Sequence, residues 1–305
     1  MTESSPLVSI VLSTYNRSNV LIYAIESVLQ QSLEDWELLV IGDACTDDTD
    51  QLMRSFTERD ERISYHNRPV NFGEQSAPNN DGVARCNGHY IDFINHDDIW
   101  LDDHLATLTE AIRTRDCDMV FSLVNSVQAD GSSRIVGATP EGRYTPLLLT
   151  PASSWLATRA TIEDVGAWRP ARELYNMPSQ DWCYRAWKSG KRIEMVSCLS
   201  VVAIPSGLRQ NSYSGRESEI NGRYFDWSRN AMEYRSRALS GAVVGHSEQW
   251  LKRYPSRTLV KWSIINTLRR TLVFCGIHPE AAKNFIRHGR KGGFIASLRR
   301  IRGIS

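Results

Sequence analysis

The stretch GHYIDFINHDDIWLDDHL, residues 88–105, contains an apolar run that ends at Asn95 and is followed at once by His96, Asp97 and Asp98. The apolar run has the length and the residue types of a buried strand. Two carboxylates directly after a strand suit a divalent metal ion, which prefers oxygen ligands. They equally suit the first turn of a helix, where acids complement the helix dipole. The stretch alone leaves both interpretations open.

Strand-like and helix-like patterns alternate through the first hundred residues. Apolar, β-branched runs predict strands, and segments with apolar residues at helical spacing lie between them. The predicted strands are Leu7–Ser13, Trp36–Gly42, Ile63–His66 and His89–Ile94, and the predicted helices cover residues 21–29, a segment ending near Arg59, and Glu74–Cys86. Such alternation is typical of right-handed βαβ crossovers. We therefore expect an α/β protein with a Rossmann-like, mostly parallel sheet flanked by helices.

Three of these strands are followed by polar loops. The first loop is STYNR, the second begins with Asp43 in DACTDD, and the third covers Asn95–Asp98. In a parallel sheet the carboxyl ends of the strands share one edge, and ligands bind outside that edge. The convergence of the three polar loops on one edge of the sheet favours a site for a metal ion and a diphosphate at Asp97 and Asp98. For Asp43, which follows Gly42, ligand contact and an Asx turn both remain open.

The pattern after residue 100 is more mixed. We expect a helix over His104–Arg115, a strand in DMVFSLVNSV, a hairpin turn at QADGSS, strand-like pieces over residues 151–157, a helix over Gln180–Lys188, one or two strands in RIEMVSCLSVVAI, and helices from Glu217 onward. This segment predicts a second half of the domain, followed by a helical extension.

Composition bounds the class of protein. Of the 305 residues 41% are hydrophobic and 23% charged, which is typical of a globular protein with a sizeable core. No run of about 18 uncharged apolar residues occurs, and the start MTESSPLVSI lacks the layout of a signal peptide, so we expect a cytoplasmic protein. The six cysteines form no C-x-x-C pair, which argues against a zinc knuckle and a disulfide framework.

Charge is distributed unevenly along the chain. Residues 251–305 hold 13 of the 36 Lys and Arg but only one acid, Glu280, which leaves a net charge of about −11 on the rest of the chain. Basic helices with aromatic anchors suit an anionic membrane surface, here the inner face of the cell membrane. The alternative, packing of this tail on the acidic body of the chain, stays open. Nucleic acid is not expected as a partner, because the tail lacks a recognition motif.

Four ordered motifs resemble those of the family 2 glycosyltransferases, which have the GT-A fold: VSIVLSTYNR, LLVIGDACTDDT, NFGEQSAPNNDGVARCNGHYIDFINHDDIW and VGAWRP with SQDWCYRAWKSG. The resemblance covers roughly residues 6–215. It implies inverting transfer of a sugar from a nucleotide diphosphate donor, for which we expect a UDP-sugar, with Mn²⁺ or Mg²⁺. The acceptor would be a hydroxyl of a cell-surface glycan or a lipid-linked precursor.

The resemblance also implies a division of the chain and a set of site residues. Residues 1–215 would form the GT-A domain, with a nucleotide-binding half over about 1–100 and an acceptor half over about 101–215, and residues 216–305 a basic helical extension. Asp97 would be the main metal ligand and Asp181 the general base. The donor would contact Thr14, Tyr15, Arg17, Asp43, Asn80, Asn95 and Asp98.

The chemistry of inverting transfer gives Asp181 an independent rationale. The acceptor hydroxyl must lose its proton on the face opposite the departing diphosphate, while a cation neutralises the charge that grows on that diphosphate. A helix N-cap is the alternative role for Asp181. Aromatic faces stack on sugar rings, so we expect Trp155 or Trp182 to contact the acceptor, although aromatic residues also fill cores.

Several positions depart from the family pattern. Gly42 and Asn95 each replace an acid, Gln180 replaces a glutamate, and no histidine lies between His104 and His246. An amide is a weaker metal ligand than a carboxylate, which weakens the expected metal site. A catalytically degenerate nucleotide-sugar-binding module is therefore the second hypothesis, and a sugar nucleotidyltransferase the third. We expect His96 to point away from the site, by the alternation of an extended segment.

Overall fold

The computed structural model describes residues 5–128, 130–205, 209–215, 218–252 and 256–304, with side chains described outside 245–259. The predicted nucleotide-binding half alternates strands and helices as the sequence predicts. Its elements are β1 (Val8–Thr14), α1 (Ser18–Leu29), β2 (Trp36–Gly42), α2 (Thr49–Arg59), β3 (Ile63–Asn67), α3 (Ser76–Val83) and β4 (Tyr90–Asn95). The helix predicted over Glu74–Cys86 is shorter at both ends.

The acceptor half is more irregular. It contains β5 (Ile99–Trp100), α4 (His104–Arg115), β6 (Met119–Val127), β7 (Ser133–Val136), a 3₁₀ turn (Ala152–Ser154), β8 (Trp155–Thr158), α5 (Arg159–Val165), a second 3₁₀ turn (Ala171–Glu173), α6 (Pro178–Lys188) and β9 (Ile193–Ala203). Helix α7 (Ser212–Gly215) ends this half, and the extension consists of α8 (Glu219–Ser228), α9 (Ala231–Lys252), α10 (Ser256–Phe274), α11 (Pro279–His288) and α12 (Gly293–Arg302).

The described strands form one sheet in the order β3-β2-β1-β4-β8-β6-β9-β5, with β7 paired to β6. Strands β1 to β4 pair in parallel, as predicted. The prediction of a mostly parallel sheet is wrong for the second half, where β8 runs antiparallel to both β4 and β6. The chain passes from β4 to β6 and then returns in β8 to fill the gap between them in the opposite direction. The sheet is therefore mixed.

The order of the strands reverses at β1. Strand β2 lies on one side of β1 and β4 on the other, so the loops that follow β1 and β4 diverge and leave a crevice. Crevices at such switch points are the usual ligand sites of open α/β sheets.

A chain of polar side chains crosses the core below this crevice. Asp92 Oδ2 lies 3.3 Å from His104 Nε2, His104 Nδ1 lies 2.7 Å from Ser200 Oγ, and Ser200 Oγ lies 2.7 Å from Ser122 Oγ. All four residues are fully buried. The ring of His104 also stacks on Trp100, with centroids 4.3 Å apart. The network joins β4, α4, β9 and β6 at the centre of the sheet.

The predicted boundary at residue 215 does not separate two cores. Phe225 and Tyr234 of the extension belong to the same buried cluster as Ile99 and Val202 of the sheet. Tyr234 Oη also accepts a 2.6 Å hydrogen bond from Asn125 Nδ2. Helices α8 and α9 therefore complete the body of the protein. Among the described helices, none combines the length and the apolarity that crossing a bilayer requires.

Candidate active site

Strand register brings three predicted site segments to one edge. Thr14 is paired with Gly42, and Ser13 with Asn95, so the carboxyl ends of β1, β2 and β4 lie level with each other. The backbone N–H of Asp43 donates to Thr14 O at 2.8 Å, which joins the first two loops. The hydroxyl Oγ1 of Thr14 is buried and has no hydrogen-bond partner among the described residues. It is therefore available to a donor ligand.

The loop after β1 is held by side chains of both halves. Asn16 has a left-handed backbone, with φ of 47°, and its Oδ1 accepts from the N–H of Thr46 at 2.7 Å. Arg17 is 2% exposed, its Nη1 donates to Ser212 O at 2.8 Å, and its guanidinium lies 5.1 Å from the ring centroid of Tyr213. Arg17 therefore fixes α7 over the crevice.

Asp43 organises the loop over residues 68–73. Its carboxylate accepts from Arg68 Nη1 at 2.6 Å and from the N–H groups of Phe72 and Gly73 at 2.9 Å. The prediction that Asp43 holds a base stays a prediction, and a base would share these oxygens with the loop. Gly42, where the family has an acid, lies against Asn67, and a Cβ there would come within 2.7 Å of Asn67 Oδ1. Local packing therefore accounts for this departure.

Asn95 to Asp98 form a tight turn, in which Asp98 N donates to Asn95 O at 3.1 Å. Asp98 Oδ2 accepts from Ser153 Oγ at 2.5 Å and from Asn95 Nδ2 at 2.8 Å, and Oδ1 accepts from Ile204 N at 3.2 Å. Burial and the neighbouring charge of Asp97 raise the pKa of Asp98 above its usual range. The side chains of Asp98 and Asn95 thus stabilise the turn through hydrogen bonds, and Asp97 lies at the tip of the turn.

His96 does not point away from the site, as the sequence led us to expect. Alternation of side chains requires extended backbone, whereas residues 96 and 97 form a turn. The His96 ring lies 6.3 Å from that of Tyr213, and its Nε2 is shielded from solvent with no partner among the described residues. Burial lowers the pKa of His96 to about 4. The negative charge of Asp97 opposes this shift, and the positive charges of Arg17 and Arg302 add to it.

Other predicted residues have structural partners. The side-chain amide of Asn80 exchanges two hydrogen bonds with the backbone of Trp168, at 3.0 and 2.8 Å. Trp155 and Trp182 are 1% and 0% exposed and stack on each other with ring centroids 5.8 Å apart. The predicted acceptor contact does not fit this burial, because core packing covers the faces that a sugar ring would need.

Asp181 lies in the first turn of α6, three residues after Pro178, and is not its N-cap. Its Oδ2 accepts from Arg185 Nε at 2.9 Å, while Oδ1 accepts no hydrogen bond from the described residues. The preceding residue, Gln180, donates to Thr150 O at 2.9 Å, at the start of the segment that carries Ser153. The start of α6 is thereby tied to the segment that holds the Asn95–Asp98 turn.

The C-terminal extension contributes residues that the sequence patterns did not predict. His278 is buried near Asp181, lies 3.3 Å from Asn176 Nδ2 through its Nδ1, and has its pKa lowered by burial to about 4. Arg299 of α12 donates through Nη1 to Gly73 O at 2.6 Å, in the loop that Asp43 organises. The uneven charge of the sequence was the signal that could have pointed to these residues. A basic C-terminal segment can pack on the acidic rest of the chain, and this alternative was left open above.

The fit of a divalent cation depends on Asp97. No group of three His, Cys, Asp or Glu side chains suited to a metal occurs in the part of the chain that the structure describes. Asp97 is a carboxylate at the tip of the turn, and its backbone O accepts from Asn221 Nδ2 at 3.1 Å. Mg²⁺-type sites commonly use one or two carboxylates, with phosphates and water as the remaining ligands. One carboxylate beside a diphosphate is consistent with that chemistry.

A mixed α/β sheet flanked by helices, with polar strand ends gathered at its switch point, defines an α/β protein with the GT-A fold. The family model described as Glycosyl transferase family 2 matches residues 9–148. Residues 9–148 are thus a glycosyltransferase domain.

Relatives share this domain over part of their length. The chain is 32% identical over 132 residues to the putative teichuronic acid biosynthesis glycosyltransferase TuaG of Bacillus subtilis, a match that covers 43% of this chain and 52% of TuaG. It is 32% identical over 108 residues to the GalNAc(5)-diNAcBac-PP-undecaprenol beta-1,3-glucosyltransferase of Campylobacter jejuni, covering 34% of each chain. The matches thus span about half of these relatives or less.

Solved structures of S. aureus TarS share the fold. TarS 1-349 superposes with a TM-score of 0.55 over 97% of this chain and 90% of that chain, at 15% identity. Its complex with UDP-GlcNAc gives a TM-score of 0.55 over 65% of this chain and 58% of that chain, at 19% identity. The first superposition extends through the C-terminal helices.

Proposed function

We propose that this protein is an inverting glycosyltransferase that moves a sugar from a UDP-sugar to a hydroxyl of a cell-surface glycan or a lipid-linked acceptor. The observation that carries the proposal is the convergence of Thr14, the Asp43 loop and the Asp97 turn at the switch point of a family 2 domain. The names of TuaG and of the Campylobacter relative support the class of acceptor, and the UDP-GlcNAc complex of TarS supports the donor.

On the donor side, Asp97 would hold Mn²⁺ or Mg²⁺ together with the diphosphate. When bound, the cation would neutralise charge on the departing diphosphate. Asp98 and Asn95 keep the turn rigid, and Thr14 offers its free hydroxyl to the nucleotide. Asp43 holds the loop over residues 71–73, which would form a wall of the nucleotide pocket.

On the acceptor side, Asp181 would act as the general base. The acceptor oxygen forms a bond to the anomeric carbon, the bond from that carbon to the diphosphate oxygen breaks, and the acceptor proton moves to the Asp181 carboxylate. The ion pair with Arg185 orients Oδ2 and leaves Oδ1 for the acceptor hydroxyl. The products are the glycoside and UDP.

A peripheral position on an anionic membrane would bring the enzyme to a lipid-linked acceptor. Apolar side chains of α10 and α11 are exposed, including Trp262 at 62%, Phe274 at 92% and Ile286 at 82%. Basic residues such as Lys261 and Arg270 lie among them. The exposed apolar residues occupy a broad arc of α10.

The alternative is a degenerate module that binds a nucleotide-sugar without transferring the sugar. It is favoured by Asn95 and Gln180, which replace two acids of the family pattern. A sugar nucleotidyltransferase would use similar carboxylates for phosphoryl transfer, but it would release pyrophosphate.

The experiment is a screen of UDP-sugars with Mn²⁺ or with EDTA, in which free UDP and pyrophosphate are both measured. We expect slow Mn²⁺-dependent release of UDP from one donor in the absence of an acceptor, and faster release with an undecaprenyl-linked glycan. Tight binding of a donor with no release of UDP would support the binding module. Release of pyrophosphate would support the nucleotidyltransferase.

A further inference from the structure

We propose that the C-terminal helix α12 is part of the donor site, and that Arg299 and Arg302 bind the diphosphate of the nucleotide. This inference rests on the proposed function, because it assumes a nucleotide diphosphate in the crevice. It assigns to the end of the chain a role in substrate binding that the 9–148 family segment does not contain.

Helix α12 is anchored at both ends against the site. At its start, Gly292 N donates to Leu174 O at 2.8 Å. At its end, the N–H of Asn211 donates to Ile301 O at 2.8 Å, and Gly303 packs against Ser214 of α7. The helix therefore spans from the acceptor half to α7, which Arg17 holds over the crevice.

Arg299 reaches the loop that Asp43 organises. Its Nη1 donates to Gly73 O at 2.6 Å, and Gly73 N donates in turn to Asp43 Oδ2 at 2.9 Å. Gly73 has a φ of +91°, and the guanidinium occupies the space that a Cβ would need. One cationic side chain from α12 thus lies beside the predicted base pocket.

Arg302 lies at the end of α12 between Ile301 and Gly303, which contact Asn211 and Ser214, and the neighbouring ring of Tyr213 lies 6.3 Å from that of His96 in the turn that carries Asp97. Burial raises the pKa of Tyr213, and the positive charge of Arg302 opposes that rise. Its Nε is buried and has no hydrogen-bond partner among the described residues. A buried guanidinium N–H is costly to leave unpaired unless a ligand completes it. Thr14 Oγ1 and His96 Nε2, also at this edge, are buried without described partners as well.

The chemistry of these groups points to a phosphate ligand. Guanidinium groups donate in a planar fork that matches phosphate oxygens, and the hydrogen bonds are charge-assisted. The turn offers Asp97 with an amide, Asn95, in place of a second acid, so a divalent cation would be held less tightly than by the family pattern. Two arginines from α12 would supply positive charge to the diphosphate that does not depend on how fully the cation site is occupied.

The test is calorimetric titration of the full chain with UDP and, separately, with uridine, which lacks the diphosphate. We expect Arg302→Gln and Arg299→Gln each to weaken UDP binding about tenfold and to change uridine binding less than about twofold. Arg300→Gln is the matched control, because Arg300 is an exposed cation on the same helix, and both affinities should stay within about twofold of wild type.

For each variant, the affinities for UDP and uridine are measured on the same protein. A partial loss of folded protein therefore affects both measurements equally and cancels in their ratio. An unchanged ratio in both Gln variants overturns the proposal and means that the two arginines only anchor α12. If either Gln variant does not fold, Arg302→Lys is measured instead. A ratio of UDP to uridine affinity several-fold below that of wild type supports phosphate binding by the planar guanidinium, and an unchanged ratio overturns it. Failure of the wild-type protein to bind any nucleoside diphosphate would instead contradict the proposed function.

Discussion

Ser153 Oγ lies 2.5 Å from Asp98 Oδ2 and 2.9 Å from Asn95 Nδ2, so one buried hydroxyl joins the first and last residues of the turn that carries Asp97. Ser153 belongs to the acceptor half, in the 3₁₀ turn before β8. The geometry of the donor edge therefore depends on a residue that lies more than fifty positions away in the sequence.

Ser153→Ala should loosen this turn. The substitution removes one buried hydrogen-bond partner from Asp98 and one from Asn95, which should lower the free energy of unfolding by about 2 kcal/mol. It should also weaken UDP binding several-fold, because Asp97 loses its support. Calorimetry and thermal unfolding measure the two effects.

The adjacent Ser154→Ala is the matched control. Ser154 is equally buried, but its hydroxyl donates to Pro151 O and does not touch the turn. Its UDP affinity should match that of wild type. Equal UDP affinity in the two variants would show that Ser153 is not needed for the donor site.

Asp181→Asn should abolish sugar transfer while leaving UDP affinity unchanged. The amide has nearly the same shape but cannot accept the proton of the acceptor hydroxyl, and loss of a general base typically costs about 10² to 10⁴ in rate. Steady-state release of UDP with acceptor, and calorimetry with UDP, separate the two properties. Asp164→Asn, which breaks an exposed ion pair with Lys191, controls for loss of charge. Near-normal turnover of Asp181→Asn would sink the assignment of the base.

The buried pair of Asp92 and His104 should give the protein a pH-dependent stability with a defined sign. Burial raises the pKa of Asp92 well above its usual value, and burial lowers the pKa of His104 to about 3. The folded protein thus retains the carboxyl proton, which the unfolded chain releases above about pH 4. The contribution of Asp92 is therefore complete below that pH and is lost as the pH rises, by up to about 1.4 kcal/mol per pH unit.

Asp92→Asn removes this titration and keeps an N–H donor for His104. From pH 4 to pH 7, the variant should therefore gain stability relative to wild type, as measured by urea unfolding at each pH. The contribution of His104 is common to both proteins and cancels in the difference. Asp226→Asn, at an exposed position, should show no such trend. The opposite trend would mean that Asp92 is ionised and paired with a protonated His104.

Trp262→Ser should weaken binding of the protein to anionic vesicles. Trp262 is 62% exposed on α10, among basic side chains, and its ring would enter the interfacial region of a bilayer. We expect about fivefold weaker co-sedimentation with phosphatidylglycerol vesicles, and little binding to phosphatidylcholine vesicles by either protein. Trp227→Ser, at a 48% exposed tryptophan of α8, should bind as wild type does. Equal effects of the two substitutions would contradict a specific membrane surface on α10.

Much of the nucleotide-binding half could be predicted from local patterns. Strand β2 begins and ends where its apolar run does, and the other strands of this half differ from the predicted ranges by about one residue. Buried parallel strands are continuous apolar runs with polar ends, so both the strand and its terminal loop are visible locally. The edge that gathers Thr14, Asp43 and Asn95 follows from parallel pairing alone.

The acceptor half was less predictable, because its features depend on long-range packing. The reversed direction of β8 is set by the gap between β4 and β6, which no local pattern reveals. Tryptophan suits a sugar platform or a core equally well, and only the packing of Trp155 on Trp182 places both in the core. Likewise, the tight turn after Asn95, which overrides strand alternation, is what brings His96 toward Tyr213.

Local sequence patterns were sufficient to predict the parallel half-sheet, its polar edge and the resemblance to the family 2 glycosyltransferases, because these depend on residue order and on spacing within short segments. Long-range packing was needed to show that Asp98, Asn95 and Ser153 are hydrogen-bonded to one another at one turn, and that α12 brings Arg299 to Gly73. Charge and helical pattern show that a segment is basic and helical. The surface on which it packs depends on the shape and the charge of residues more than two hundred positions away, such as Gly73.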